Sequence, residues 1–121
     1  MCSVQWSSAS PKEANAFLQI PEIWVTACNG EEMPYCSLVN IEFGKYEVSG
    51  KIVAICCYNR YKDGWRYHPY MLKAHRAKHF RGFLRRSVQH LSPLYVSPSN
   101  ERLTKLSKWL GFTEIDGELR L

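Results

Sequence analysis

The sequence predicts an α/β (α+β) domain: a mixed, mostly antiparallel twisted sheet with helices on both faces. Three observations carry that expectation. Lys51 to Tyr58 contains a continuous apolar run, Ile52 to Cys57, which suits a central strand buried on both faces. Asp63-Gly64 then marks a hairpin turn before Trp65–Met71. Beyond it the apolar period changes from strand to helix. Ala77, Phe80, Phe83, Leu84, Val88 and Leu91 form one helical stripe, and Leu103, Leu106, Trp109 and Leu110 form a second.

The elements follow in order. Val4 to Trp6 reads as a short first strand. Ser10-Pro11-Lys12-Glu13 is a capping box, with proline at the first helical position, and Ala14, Phe17 and Leu18 supply the apolar face of the helix it opens. Pro21 interrupts that helix, and Glu22 to Cys28 reads as a further helical turn or two, ended by Asn29-Gly30. Leu38 to Phe43 is extended, Gly44 is a break, and Tyr46 to Val48 continues to the turn signal Ser49-Gly50. Pro69 lacks an N–H, so a ladder break, bulge or edge is expected there. The basic helix is expected from about Arg76 to Leu91 and is stopped by Pro93; Leu94–Val96 is a short strand. Asn100 starts a helix that runs to about Leu110, Gly111 stands at its C-cap, and Phe112–Ile115 and Glu118–Leu121 pair around Asp116-Gly117.

At 121 residues, 45% of them hydrophobic, the chain is expected to form a single domain over 1–121 with a real core. Five cysteines in an odd set without a CxxC pair point to free thiols and no metal site. The polar N-terminus carries no secretory signal and no apolar run approaches the roughly 20 residues of a membrane span, so a cytoplasmic protein is expected. Net charge is +5, and the stretch from Arg60 to Arg86 is strongly basic with Asp63 as its only acid. Such a stretch attracts anions: nucleic acid, lipid headgroups or the phosphates of a cofactor.

Two stretches resemble a known superfamily. Asn100-Glu-Arg-Leu-Thr-Lys-Leu-Ser-Lys-Trp-Leu-Gly-Phe112 resembles the closing segment of the acetyl-coenzyme A-dependent N-acetyltransferases (GNAT), and Trp65 to Leu91 takes the place of their cofactor-binding strand and helix. The variant Tyr67-His68-Pro69-Tyr70-Met71-Leu72 followed by His75-Arg76 resembles small GNAT-like proteins of tailed phages, some of which are head-assembly or internal virion proteins. The resemblance implies that acetyl-coenzyme A lies against Met71, Arg76, Lys78, His79, Phe80, Arg81, Gly82 and Asn100. Its pyrophosphate would rest on backbone donors at a helix start. Aligning Arg76 with the family's leading Arg sets His79 and Arg81 where glycines usually stand, with Gly82 nearby. Side chains at those places either crowd the pyrophosphate or add charge-assisted contacts to it. The family's thiolate-protonating Tyr, four residues before the closing glycine, is replaced by Ser107. Glu42 and His68, both on strands, are the candidate bases for an amine acceptor.

Three function classes follow. The fold suggests an acetyl-coenzyme A-dependent transferase. The variant motif suggests a non-catalytic phage virion or head-assembly protein, with a protein partner in the particle and a place in host cytoplasm or virion. Charge alone suggests a nucleic-acid-binding or host-directed inhibitor module.

Overall fold

A computed structural model describes residues 3–23, 41–97 and 101–121, with the side chains of 102 and 103 set aside. Its strands are β1 (Val4–Ser8), β2 (Ile41–Val48), β3 (Lys51–Tyr61), β4 (Gly64–Met71), β5 (Leu94–Val96), β6 (Thr113–Ile115) and β7 (Glu118–Arg120). The helices are α1 (Pro11–Leu18), α2 (Lys73–Ser87) and α3 (Glu101–Trp109). Seven strands form one sheet in the order β1-β2-β3-β4-β5-β7-β6. Among the described strands, β4–β5 is the one neighbouring pair that is parallel; the helix crossover between them is what permits it. The expected sheet and both stripe helices are present.

Helices cover both faces. On one side Ala14, Phe17 and Leu18 of α1 pack with Phe43, Ile55, Cys57 and Leu72. On the other, Phe83 and Leu84 of α2 join Tyr46, Cys56, Tyr58, Tyr67 and Met71, and Leu106 of α3 and Leu110 just beyond it lean on the same cluster. The capping box forms as expected: Glu13 N–H donates to Ser10 Oγ (3.1 Å), and Ser10 N–H donates to Glu13 Oε1 (3.0 Å). Beneath α2, Tyr58 Oη donates to the Ser87 carbonyl at 2.6 Å, and Ser87 Oγ bridges the Tyr67 hydroxyl and the Leu84 carbonyl.

Several boundaries differ from expectation, each for a physical reason. Gly44 does not break β2, which runs on through it. Its missing side chain admits the Trp6 indole, and a Cβ there would lie 2.2 Å from that ring. Gly64 is not the turn residue either. Lys62 takes the positive φ, and Gly64 opens β4 where a Cβ would meet the Pro93 carbonyl oxygen at 2.2 Å. The basic helix starts at Lys73 rather than Arg76, because nothing between Leu72 and Arg81 is glycine or proline and Ala74 and Ala77 favour helix. It ends at Ser87, four residues short of Leu91, and Ala77 is exposed rather than part of the apolar stripe. Pro21 to Ile23 are helical; the rest of the expected second helical segment, Cys2, Cys28, Cys36 and Asn100 lie outside the described residues.

Candidate functional site

The parting of β4 from β5 makes the site. These strands pair only at Trp65↔Leu94 and Arg66↔Tyr95, so β4 from His68 to Met71 has no strand on that side among the described residues. The alternation of the antiparallel ladder says which groups face the gap. Leu72 N–H donates to the Val53 carbonyl (3.0 Å), which assigns the backbone groups of 68, 70 and 72 to β3 and turns those of 69 and 71 to the open edge. Pro69 brings no N–H to that edge, in keeping with its expected edge position. The Met71 carbonyl is taken by Arg76 Nε at 3.1 Å. A carbonyl from Pro69 and an N–H from Met71 therefore face the gap, a spacing suited to one extended amide-bearing chain.

α2 begins one residue beyond this edge, with Leu72 as its N-cap, no side-chain cap and no acid in its first turn. The free donors at a helix start normally favour an anion. Here two of the first three are in use: Lys73 N–H donates to Glu22 Oε2 (2.9 Å) and His75 N–H to the Leu72 carbonyl (3.0 Å). A carboxylate from the helical turn at 21–23 thus occupies part of this anion-favouring helix start. Residues 76–82 lie inside α2, so the turn the sequence offers for a pyrophosphate is wound into the helix.

The sequence-predicted residues distribute unevenly. Met71 is buried in the core and reaches the site through its backbone. Arg76 and Lys78 are exposed near the helix start. His79 is buried, its ring 6.0 Å from the Tyr46 ring, and Phe80 leans on the main core cluster. Gly82 also faces Tyr46: a Cβ there would lie 3.2 Å from the phenol oxygen. Arg81 is exposed, with its guanidinium 5.5 Å from the centre of the Trp109 ring. The two candidate bases are not brought together. Glu42 pairs with Tyr58 and Phe43 with Cys57, while Cys57 pairs with His68; the pleat therefore sets Glu42 and His68 on opposite faces. Glu42 is exposed on the α2 face, and His68 is half-buried on the α1 face of β4, beside the gap.

Burial, reinforced by the Arg66 charge, holds the His68 imidazole below its ordinary pKa, so it is neutral and able to accept a proton at pH 7. His90 is also pushed down by burial, although Glu42 opposes the shift, and its Nδ1 accepts the Trp6 indole N–H at 3.2 Å. Burial raises the Tyr67 phenol well above its usual range, and Ser107 is buried, so neither offers an accessible acid of ordinary strength. Among the described residues no group of three or more His, Cys, Asp or Glu could hold a metal ion, and no helix is long and apolar enough to cross a membrane.

No protein-family model matches the sequence, and no curated protein matches it significantly. Solved structures do match. A possible acetyltransferase from Clostridium difficile 630 superposes with a TM-score of 0.66 at 16% identity, covering 93% of this chain and 92% of its own. The GNAT domain of S. lividans PAT gives 0.63 at 13% identity, covering 98% and 88%. The chain has the GNAT fold. YhhK from E. coli, solved bound to coenzyme A, gives 0.55 at 13% identity and covers 99% of this chain and 97% of its own. What these proteins share with the chain is the fold, over nearly its whole length.

Sequence reasoning named the strand and helix that frame the site but missed Glu22. A lone acid after Pro21 carries no local signal of a partner 51 residues away. The edge role of Pro69 was legible; the capture of the Met71 carbonyl by Arg76 was not.

Proposed function

We propose that this is an N-acetyltransferase-like protein that takes acetyl-coenzyme A in the β4–β5 gap but grips its phosphates weakly. The open edge of β4 carries the reading. Pro69 C=O and Met71 N–H would pair with the amides of the pantetheine arm, and Lys73 and Arg76, in the first turn of α2, would face the phosphates. Bound there, the cofactor would supply an activated acetyl thioester. His68 would take the proton of an amine acceptor arriving on the α1 face, since Glu42 lies on the other side of the sheet. With Ser107 in place of a phenol, the departing thiolate lacks a side-chain acid, and turnover would be slow.

One observation favours a second reading, in which the fold serves as an assembly or binding module, as in a phage particle. The phosphate turn is closed into α2 and Glu22 holds its first N–H. Calorimetry with coenzyme A and with phosphate-free pantetheine separates the two. The proposal expects both to bind, with affinities within about tenfold, one lost contact of roughly 1.4 kcal/mol. Failure of both to bind supports the module.

A further inference from the structure

The outer surface formed by α2 and α3 is unlike the rest of the molecule. Six of the fifteen residues of α2 are Lys or Arg and none is acidic. All six, Lys73, Arg76, Lys78, Arg81, Arg85 and Arg86, are exposed. None forms a salt bridge among the described residues, whereas Lys45, Arg66 and Arg120 on the sheet and Lys62 in the β3–β4 turn each have an acid partner. Cations three and four residues apart share a face and repel, at a cost to the isolated helix. Lys78, Arg81 and Arg85 nonetheless recur at that spacing, one per turn of about 5.4 Å.

Beside this row stands Trp109, one of two large hydrophobic residues exposed among those described, at 46%. Arg81 and Arg85 hold their guanidinium groups 5.5 and 5.1 Å from its ring centre. Lys105 and Lys108 extend the positive field on α3, and Lys105 is partly offset by Glu101 at 3.6 Å. The face therefore combines unneutralised cations at regular spacing with an exposed aromatic ring already stacked against planar cations. Each part has a counterpart in a nucleic acid strand: phosphates for the Lys and Arg row, and a base face for the indole. A duplex hides its base faces, so the exposed ring favours a single strand. An anionic membrane would satisfy the charge, but anchoring to it scales with buried apolar area, and Trp109 stands alone here because the other exposed hydrophobe, Ile115, lies on β6.

We infer that the α2–α3 face binds single-stranded nucleic acid, with Lys78, Arg81 and Arg85 on the phosphates and Trp109 stacked on a base. The face runs from the second turn of α2 toward its C-terminal end and leaves the β4 edge free, so the inference holds whether or not coenzyme A binds.

Fluorescence anisotropy with labelled 12-nucleotide single-stranded RNA and DNA at low salt tests it. The expected result is saturable binding to at least one, with log K falling against log salt at a slope of about −2, near −0.7 for each of three neutralised phosphates. The double variant Arg81→Ala/Arg85→Ala should weaken binding at least tenfold, Trp109→Ala about tenfold, and Trp109→Phe much less. Arg60→Ala, a cation over Trp65 at the end of β3, should change nothing. Saturating coenzyme A should leave the affinity within twofold. The inference is overturned by absent binding, by binding insensitive to both the Arg81/Arg85 and Trp109 changes, or by equal binding of a same-length duplex. Equal, variant-sensitive binding of polyglutamate or phosphatidylserine vesicles also overturns it. All the substituted side chains are exposed or half-buried, and unchanged far-UV circular dichroism would confirm that the variants fold.

Discussion

Gly44→Ala tests how tightly β1 is seated on the sheet. The new Cβ would lie 2.2 and 2.4 Å from two Trp6 ring carbons, and ordinary contact begins at 3.4 Å, so the indole must retreat by about 1.2 Å. It has little room to do so. Trp6 pairs in register with Tyr46, its ring centre lies 6.0 Å from that of Phe83, and its N–H reaches His90 Nδ1 at 3.2 Å. A retreat of that size stretches the hydrogen bond beyond 4 Å. Overpacking costs about 1–3 kcal/mol, and the lost bond adds about 0.5–1.5 kcal/mol, so the expected loss is about 2–4 kcal/mol. Urea denaturation of the wild type, Gly44→Ala, Trp6→Ala and the double variant measures it. Because the penalty arises at the indole, Gly44→Ala should cost under about 1 kcal/mol in the Trp6→Ala background, a coupling of at least about 1 kcal/mol. Strictly additive costs would refute the contact.

Other expectations rest on single residues. Ser87→Ala leaves the buried Tyr67 hydroxyl without its partner and should cost about 1–3 kcal/mol in the same denaturation assay. Leu106→Ala should cost about 2 kcal/mol, the low end of the range for a buried leucine, because Leu106 is only half-covered where α3 meets the core. His68, His79 and His90 all have lowered pKa values in the folded chain. The unfolded chain therefore binds more protons below about pH 6.5; stability should be fully present above that pH and fall with acidification, and Trp6→Phe with His90→Phe should flatten the profile. Cys56 and Cys57 are buried thiols outside any disulfide, and burial pushes the Cys56 thiol well up. Both should resist alkylation in the native protein and react on denaturation.

The scaffold was legible because its signals are local. The capping box at Ser10 forms from four consecutive residues, the apolar run at Ile52–Cys57 declares a two-sided strand, and the Phe80–Val88 stripe declares a packed helix. What escaped depends on contacts distant in sequence. Gly44 reads as a break until Trp6, 38 positions earlier, is laid over it. Gly64 reads as a turn until the Pro93 carbonyl is brought against it. Around the site, charge and helix were visible. The winding of 76–82 into α2 follows from helix propensity, but the Glu22 carboxylate on Lys73 N–H arises only from the fold. The separation of Glu42 from His68 depends on strand register, which no single residue states.

Calorimetric titration of coenzyme A into the wild type, Glu22→Gln and His79→Gly/Arg81→Gly tests the central claim, an open arm site with a closed phosphate turn. Removing the Glu22 charge should tighten binding about two- to fivefold, the worth of one anion at a helix start. The two glycines weaken the helix by about 1 kcal/mol each, reopen the turn and should tighten binding further, while Arg76→Ala weakens it. Wild-type affinity that is already tight at micromolar protein, unchanged by Glu22→Gln and reduced by the two glycines, would contradict the account.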